Sequence, residues 1–80
     1  MKTLNINIKT KGFDNKIFDV MKKYNFKGDV KVGQYNLYYL IGEITVNEPI
    51  SEIAFTIGRD LLNNNIDYMT IKPTIKYELY

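Results

Sequence analysis

Residues 29–37 read Asp-Val-Lys-Val-Gly-Gln-Tyr-Asn-Leu. Two alternating apolar runs meet there, at Gly33-Gln34. Gly at the first central position suits a two-residue type II′ turn, which joins antiparallel strands without splaying them. The stretch predicts a β-hairpin, with residues 29–32 as its first arm and residues 35 to about 46 as its second. Closure at Gly33-Gln34 sets Val32 opposite Tyr35 and Val30 opposite Leu37, and Tyr39 and Ile41 continue that side. Tyr38, Leu40 and Ile44 on the other side are apolar too. Such a strand is buried on both faces, or it carries a bulge, for which Gly42 is the candidate.

Working outward, residues 3–9 (TLNINIK) alternate, with Leu4, Ile6 and Ile8 on one side and Asn5, Asn7 and Lys9 on the other. That pattern is a half-buried strand. A helix follows. Asp14 is its expected N-cap, and Phe13 can pack on Phe18 as a hydrophobic staple. Ile17, Val20, Met21 and Tyr24 recur at helical spacing, and Asn25 can take the left-handed position that ends the helix. After the hairpin, Asn47 is the expected cap of a second helix, with Pro49 in its first turn. Ile50, Ile53, Ala54, Ile57 and Leu61 form the core stripe of that helix. Asn63-Asn64-Asn65 stops it. A last strand is expected from Ile66, and Pro73 confines it to a sheet edge or breaks it in two. The order β-α-β-β-α-β, with right-handed crossovers, is that of the ferredoxin-like α+β sandwich: a four-stranded antiparallel sheet with two helices on one face.

A chain of 80 residues is read as one domain, with a core that is marginal for its size. It contains no cysteine and no histidine. Disulfides are excluded, the usual zinc ligands are missing, and no metal or other cofactor is expected. A partner subunit remains as a way to bury more apolar surface. Imidazole bases, thiol nucleophiles and Ser-His-Asp triads are excluded as well. The acidic residues are scattered, with no spacing that suggests a catalytic pair, so no catalytic residue is assigned and a non-catalytic role is favoured. Eleven basic residues against nine acidic ones give a net charge of +2, too balanced to indicate nucleic acid or membrane by itself. No N-terminal apolar run resembles a signal peptide and no segment approaches membrane-spanning length, so a cytoplasmic location is the expectation.

Three constellations can carry function. The sheet face away from the helices is the first. RNA-recognition domains share this topology and stack bases on aromatics of their central strands. Residues 35–42 (YNLYYLIG) lack the order of basic residue, glycine and aromatics that such domains use, so nucleic acid is the less favoured partner. Packing against another protein chain is preferred, because contiguous exposed apolar surface marks interfaces. The second is Lys22-Lys23 with Lys27 and Lys31, a basic patch or, given the interspersed Asp residues, a solvated helix end. The five glycines are the third, and their dispersal forms no phosphate-binding loop.

Asp29-Val30-Lys31-Val32-Gly33-Gln34-Tyr35, followed by Leu37, resembles the second-strand hairpin of the PurS family. This family is the small subunit of bacterial and archaeal phosphoribosylformylglycinamidine synthase. Leu61-Leu62-Asn63-Asn64-Asn65-Ile66, with Asp67-Tyr68 after it, is similar to the family's Leu-Leu-x-Asn-Pro segment. Length and element order agree along the whole chain. The chain departs from the family pattern at Lys31, where Arg is usual, at Gln34, where Lys is usual, and at Asn65, where Pro is usual. Asn15 and Lys16 stand where Pro and Gly normally follow the Asp of the first loop.

The resemblance implies a non-catalytic adaptor in de novo purine biosynthesis. As a dimer or higher oligomer, such a subunit helps an ATP-dependent synthetase subunit and a glutaminase subunit assemble for ammonia transfer. Lys31, Gln34 and Tyr35 are then expected to dock the larger partner, and Tyr38, Tyr39, Leu40 and Ile41 to face a sister subunit. Two other classes stay open: a small phage or mobile-element protein that inhibits a host protein, and a small RNA- or single-strand-binding module.

Overall fold

Alternation decides the place of the first strand. In β1 (Lys2–Lys11), Leu4, Ile6, Ile8 and Thr10 are buried and the residues between them are not. The computed structural model describes residues 2–76. After β1 come α1 (Lys16–Met21), extended by a 3-10 turn over Lys22–Tyr24, β2 (Lys27–Val32), β3 (Leu37–Val46), α2 (Ile50–Asn63) and β4 (Thr70–Ile75). The strands form one antiparallel sheet in the order β2-β3-β1-β4, and both helices cover the face that carries the core. This is the ferredoxin-like α+β sandwich. Pro73 lies in the edge strand β4, which pairs only with β1, so its missing N–H costs no ladder bond.

Helix ends follow the expected chemistry at three of four termini. The Asp14 carboxylate accepts the Lys16 N–H at 2.9 Å and the Asp14 carbonyl accepts the Ile17 N–H, although regular helix starts only at Lys16. Phe13 meets Phe18 edge-on, 5.7 Å between ring centroids. Asn25 (φ 53°) and Asn65 (φ 60°) both take the left-handed conformation. Behind them the N–H groups of Phe26 and Ile66 reach back to the carbonyls of Met21 and Leu61, which closes a Schellman motif at each helix. The fourth terminus departs from expectation. Asn47 does not cap α2, because Pro49 holds the capping position in extended conformation and the helix begins at Ile50. A residue before proline is pushed out of helical geometry, so Glu48 cannot lie inside the helix. The last strand also starts later than Ile66, which is spent on the end of α2 and buried there.

The hairpin closes differently from the expected turn. Tyr35 (φ 57°) and Asn36 (φ 61°) are the two left-handed residues, and the Leu37 N–H donates to the Gln34 carbonyl at 3.1 Å. That is a type I′ turn, whose twist fits a hairpin as well as type II′ does. Gly33 stays out of the positive-φ region. Its N–H donates to the Leu37 carbonyl at 2.7 Å, so Gly33 and Gln34 together oppose Leu37 as a bulge. Val32 therefore pairs with Tyr38 and Val30 with Leu40. The expected pairing is off by three residues, an odd number, which moves Val30 and Val32 to the face of Tyr38 and Leu40.

Gly42 is not a bulge. It pairs regularly with Gly28 on one side and Ile6 on the other. The two glycines approach so closely that a Cβ on Gly28 would lie 2.6 Å from the Gly42 Cα, and the Phe26 ring covers both. From Phe26 an aromatic chain runs through Phe18 and Phe13 to Tyr38, with centroid separations of 6.5, 5.7 and 5.7 Å. These rings fill the space between α1 and the β2–β3 arm of the sheet.

Candidate functional site

The register sorts every strand residue to one face. On the open face, β2 places Lys27, Asp29 and Lys31 opposite Glu43, Ile41 and Tyr39 of β3. Those three pair in turn with Asn5, Asn7 and Lys9 of β1, and these with Thr74, Lys72 and Thr70 of β4. Lys11 extends the face beside Leu37, and Lys76 joins it through a 2.6 Å ion pair with Glu43. Among the described residues, this face thus holds six lysines against two carboxylates. Among the described residues, the helical side holds Asp14, Asp19, Glu48, Glu52, Asp60 and Asp67 together with Lys16, Lys22, Lys23 and Arg59.

Pairing sharpens the contrast. On the helical side, Lys16, Lys22 and Lys23 sit 3.7, 3.3 and 2.9 Å from Asp14, Asp19 and Asp60. On the open face, Lys11, Lys27, Lys31 and Lys72 form no ion pair among the described residues. Lys22-Lys23 and Lys27–Lys31 are therefore not one patch. The first pair ends α1 with its charge met by carboxylates, while the second projects from the sheet edge.

Tyr39 stands in the middle of these lysines. Its ring leans over Gly33, where a Cβ would be 2.8 Å from the ring Cε2, and the Lys9 ammonium lies 5.9 Å from its centroid. Ile41 beside it is 39% exposed. At the hairpin end, Tyr35 is 88% exposed in its left-handed conformation. The Gly12 N–H donates to the Asn36 carbonyl at 2.8 Å, which ties the turn to the loop after β1.

The structure divides the two groups of residues singled out from the sequence. Lys31 belongs to the open face, and Gln34 and Tyr35 to the exposed turn at its end. Tyr39 and Ile41 share the open face. Tyr38 and Leu40 point to the helices: Leu40 is buried in the chain's own core and Tyr38 packs on Phe13. Leu40 is thereby removed from any surface a second chain could touch, and the four residues do not form one interface. The lysines of β1 and β4 were missed as site residues. Their signal was present, since Lys9-x-Lys11 shares parity with Asn5 and Asn7 on the polar side of a half-buried strand.

The most connected polar group lies between the helices. Tyr24 and Lys23 both donate to the Asp60 carboxylate. The bond from Tyr24 holds the Asp60 carboxyl below the usual carboxylate range, helped by the Lys23 ammonium. Burial, and then the Asp60 carboxylate, push the Tyr24 phenol up. The group joins the end of α1 to α2, and Lys23 and Asp60 line an open depression between the two helices together with Lys16, Asp19 and Asn64. Among the described residues no cluster of three or more metal-ligating side chains occurs, and no helix is long and apolar enough to cross a membrane. Comparison with family models, curated proteins and solved structures returns no match.

Proposed function

We propose that this protein is a non-catalytic binding module that works through the open face of its sheet. The observation supporting this is the segregation of charge. Solvated lysines spread over three of the four strands repel one another and contribute nothing to the core, and such a surface attracts an anionic partner. The test compares three tagged forms in pull-downs from the source's own lysate: wild type, a Lys27→Gln/Lys31→Gln/Lys72→Gln variant, and a helical-side Lys16→Gln/Lys22→Gln control. Loss of the wild-type partners from the open-face variant alone supports the proposal. Equal capture by all three forms overturns it.

The adaptor role implied by the PurS resemblance is a second reading, favoured by the exposure of Gln34 and Tyr35 at the hairpin end. In that form the turn and the adjoining Lys31 dock the larger subunit. Pull-down in the presence of glutamine and Mg-ADP tests it. Recovery of an amidine-forming synthetase together with a glutaminase supports the reading. Recovery of neither, with both present in the lysate, removes it.

A further inference from the structure

We infer that the partner of the open face is a single-stranded nucleic acid; this rests on the open face being the working surface. The first argument is the layout of charge. Lys31 on β2, Lys9 and Lys11 on β1 and Lys72 on β4 span the full width of the sheet, about 14 Å from one edge strand to the other. They enclose no cleft in which one phosphate could be held from several sides. A chain of phosphates laid across the strands meets them one after another.

Between the lysines stand groups that suit unpaired bases. Asn5 and Asn7 carry both donors and acceptors, and Thr3, Thr70 and Thr74 add hydroxyls on the same face. Tyr39 offers a ring held in place by Gly33 and Lys9, and bases stack on such rings without regard to sequence. Tyr35 supplies a second aromatic, exposed on the hairpin turn at the end of the sheet. A residue with a β-carbon pays a steric penalty in the left-handed region, and an aromatic so exposed gains little packing in return. Strain of this kind concentrates at binding sites. An acidic polypeptide would satisfy the lysines but leave both tyrosines without a planar partner. In a duplex the base faces are stacked on one another and closed to these rings.

The experiment is fluorescence anisotropy with labelled 12-mers of oligo(dT) and oligo(rU), a 12-residue poly-glutamate peptide, and a DNA duplex, from low to physiological salt. Both single strands are expected to bind, with log K falling against log salt at a slope of about −2 to −3, as three or four displaced phosphate counterions require. The Lys27→Gln/Lys31→Gln/Lys72→Gln variant should bind at least about tenfold more weakly and with a shallower slope. Tyr39→Leu and Tyr35→Asn should each weaken binding about tenfold at unchanged slope, and the Lys16→Gln/Lys22→Gln control should bind as wild type does. Tyr35→Asn suits the turn better than the native residue, so weaker binding in that variant is not a folding defect. Poly-glutamate or duplex binding as tight as the single strands, with both tyrosine variants unaffected, overturns the inference and leaves the open face as a general anion-binding surface. Binding of none of the probes at low salt also overturns it, while the pull-down comparison still decides whether the face binds another partner.

Discussion

Tyr68 lies across α2 at Gly58: a Cβ added to Gly58 would sit 2.9 Å from the Tyr68 Cζ and closer still to its hydroxyl. In an exposed helix, Gly to Ala stabilises by about 1 kcal/mol. Here the sign is reversed. Gly58→Ala is expected to lower stability by about 1–3 kcal/mol, as overpacking does. Combined with Tyr68→Ala, the same substitution should become neutral or stabilising. A double-mutant cycle by urea denaturation measures the coupling.

The Gly28–Gly42 pair makes a comparable prediction for the sheet. Gly42→Ala drives a methyl group against the Phe26 ring, 2.8 Å from its Cε2, and against the β2 backbone. The expected cost is about 2–3 kcal/mol. Hydrogen exchange should report it as faster opening of β2 and the outer edge of β3, with β1 and β4 affected least. Uniform loss of protection across all four strands would count against this local origin.

Acid stability should trace to the Tyr24–Asp60 bond, and alkaline stability to the burial of the Tyr24 phenol together with that bond. Asp60 is held below its unfolded value of about 3.9. Its contribution is therefore complete above about pH 4 and is lost as pH falls toward the folded value. Tyr24 is raised above its unfolded value of about 10. Its contribution is complete below that pH and is lost as pH rises beyond it. Tyr24→Phe should cost about 1–3 kcal/mol at neutral pH and flatten both limbs of a plot of melting temperature against pH. Asp60→Asn should flatten the acid limb as well.

Turn chemistry at the hairpin predicts stabilisation. Type I′ turns favour Asn-Gly, and Tyr35-Asn36 is a poor match. Tyr35→Asn with Asn36→Gly should raise stability by about 1 kcal/mol in thermal denaturation. A loss would show that the Tyr35 ring packs in a way its exposure does not indicate.

The sequence carried most of the fold through short-range chemistry. Asp14, Asn25 and Asn65 each act within one helical turn of their own position, so spacing alone revealed them. The hairpin was harder because two rules compete at residues 33–36. Gly33 satisfies the local demand of a type II′ turn, yet the chain bends two residues later, at positions with no glycine. The deciding contact is non-local: Gly33 is needed where the Tyr39 ring leans over it. A register error of three residues then exchanged the faces of Val30 and Val32, and Leu40 passed for an interface residue although it is core. The basic face was readable only in part, from the parity of Lys9 and Lys11 on β1, for a related reason. Its lysines come from three separate strands and a chain segment after the last, and only the register brings them together.

The placement of charge also governs how the molecule moves toward a partner. Among the described residues, six lysines and two carboxylates lie on one broad side, and six carboxylates with Lys16, Lys22, Lys23 and Arg59 on the other, across a body only 19 Å thick along its shortest axis. The protein is thus an electric dipole directed roughly along the normal to its sheet. In the field of an anionic surface it turns before it touches, so that most encounters begin with the sheet facing inward. Association is thereby accelerated most at low ionic strength, and the gain fades once the Debye length, about 8 Å at physiological salt, falls below the thickness of the molecule.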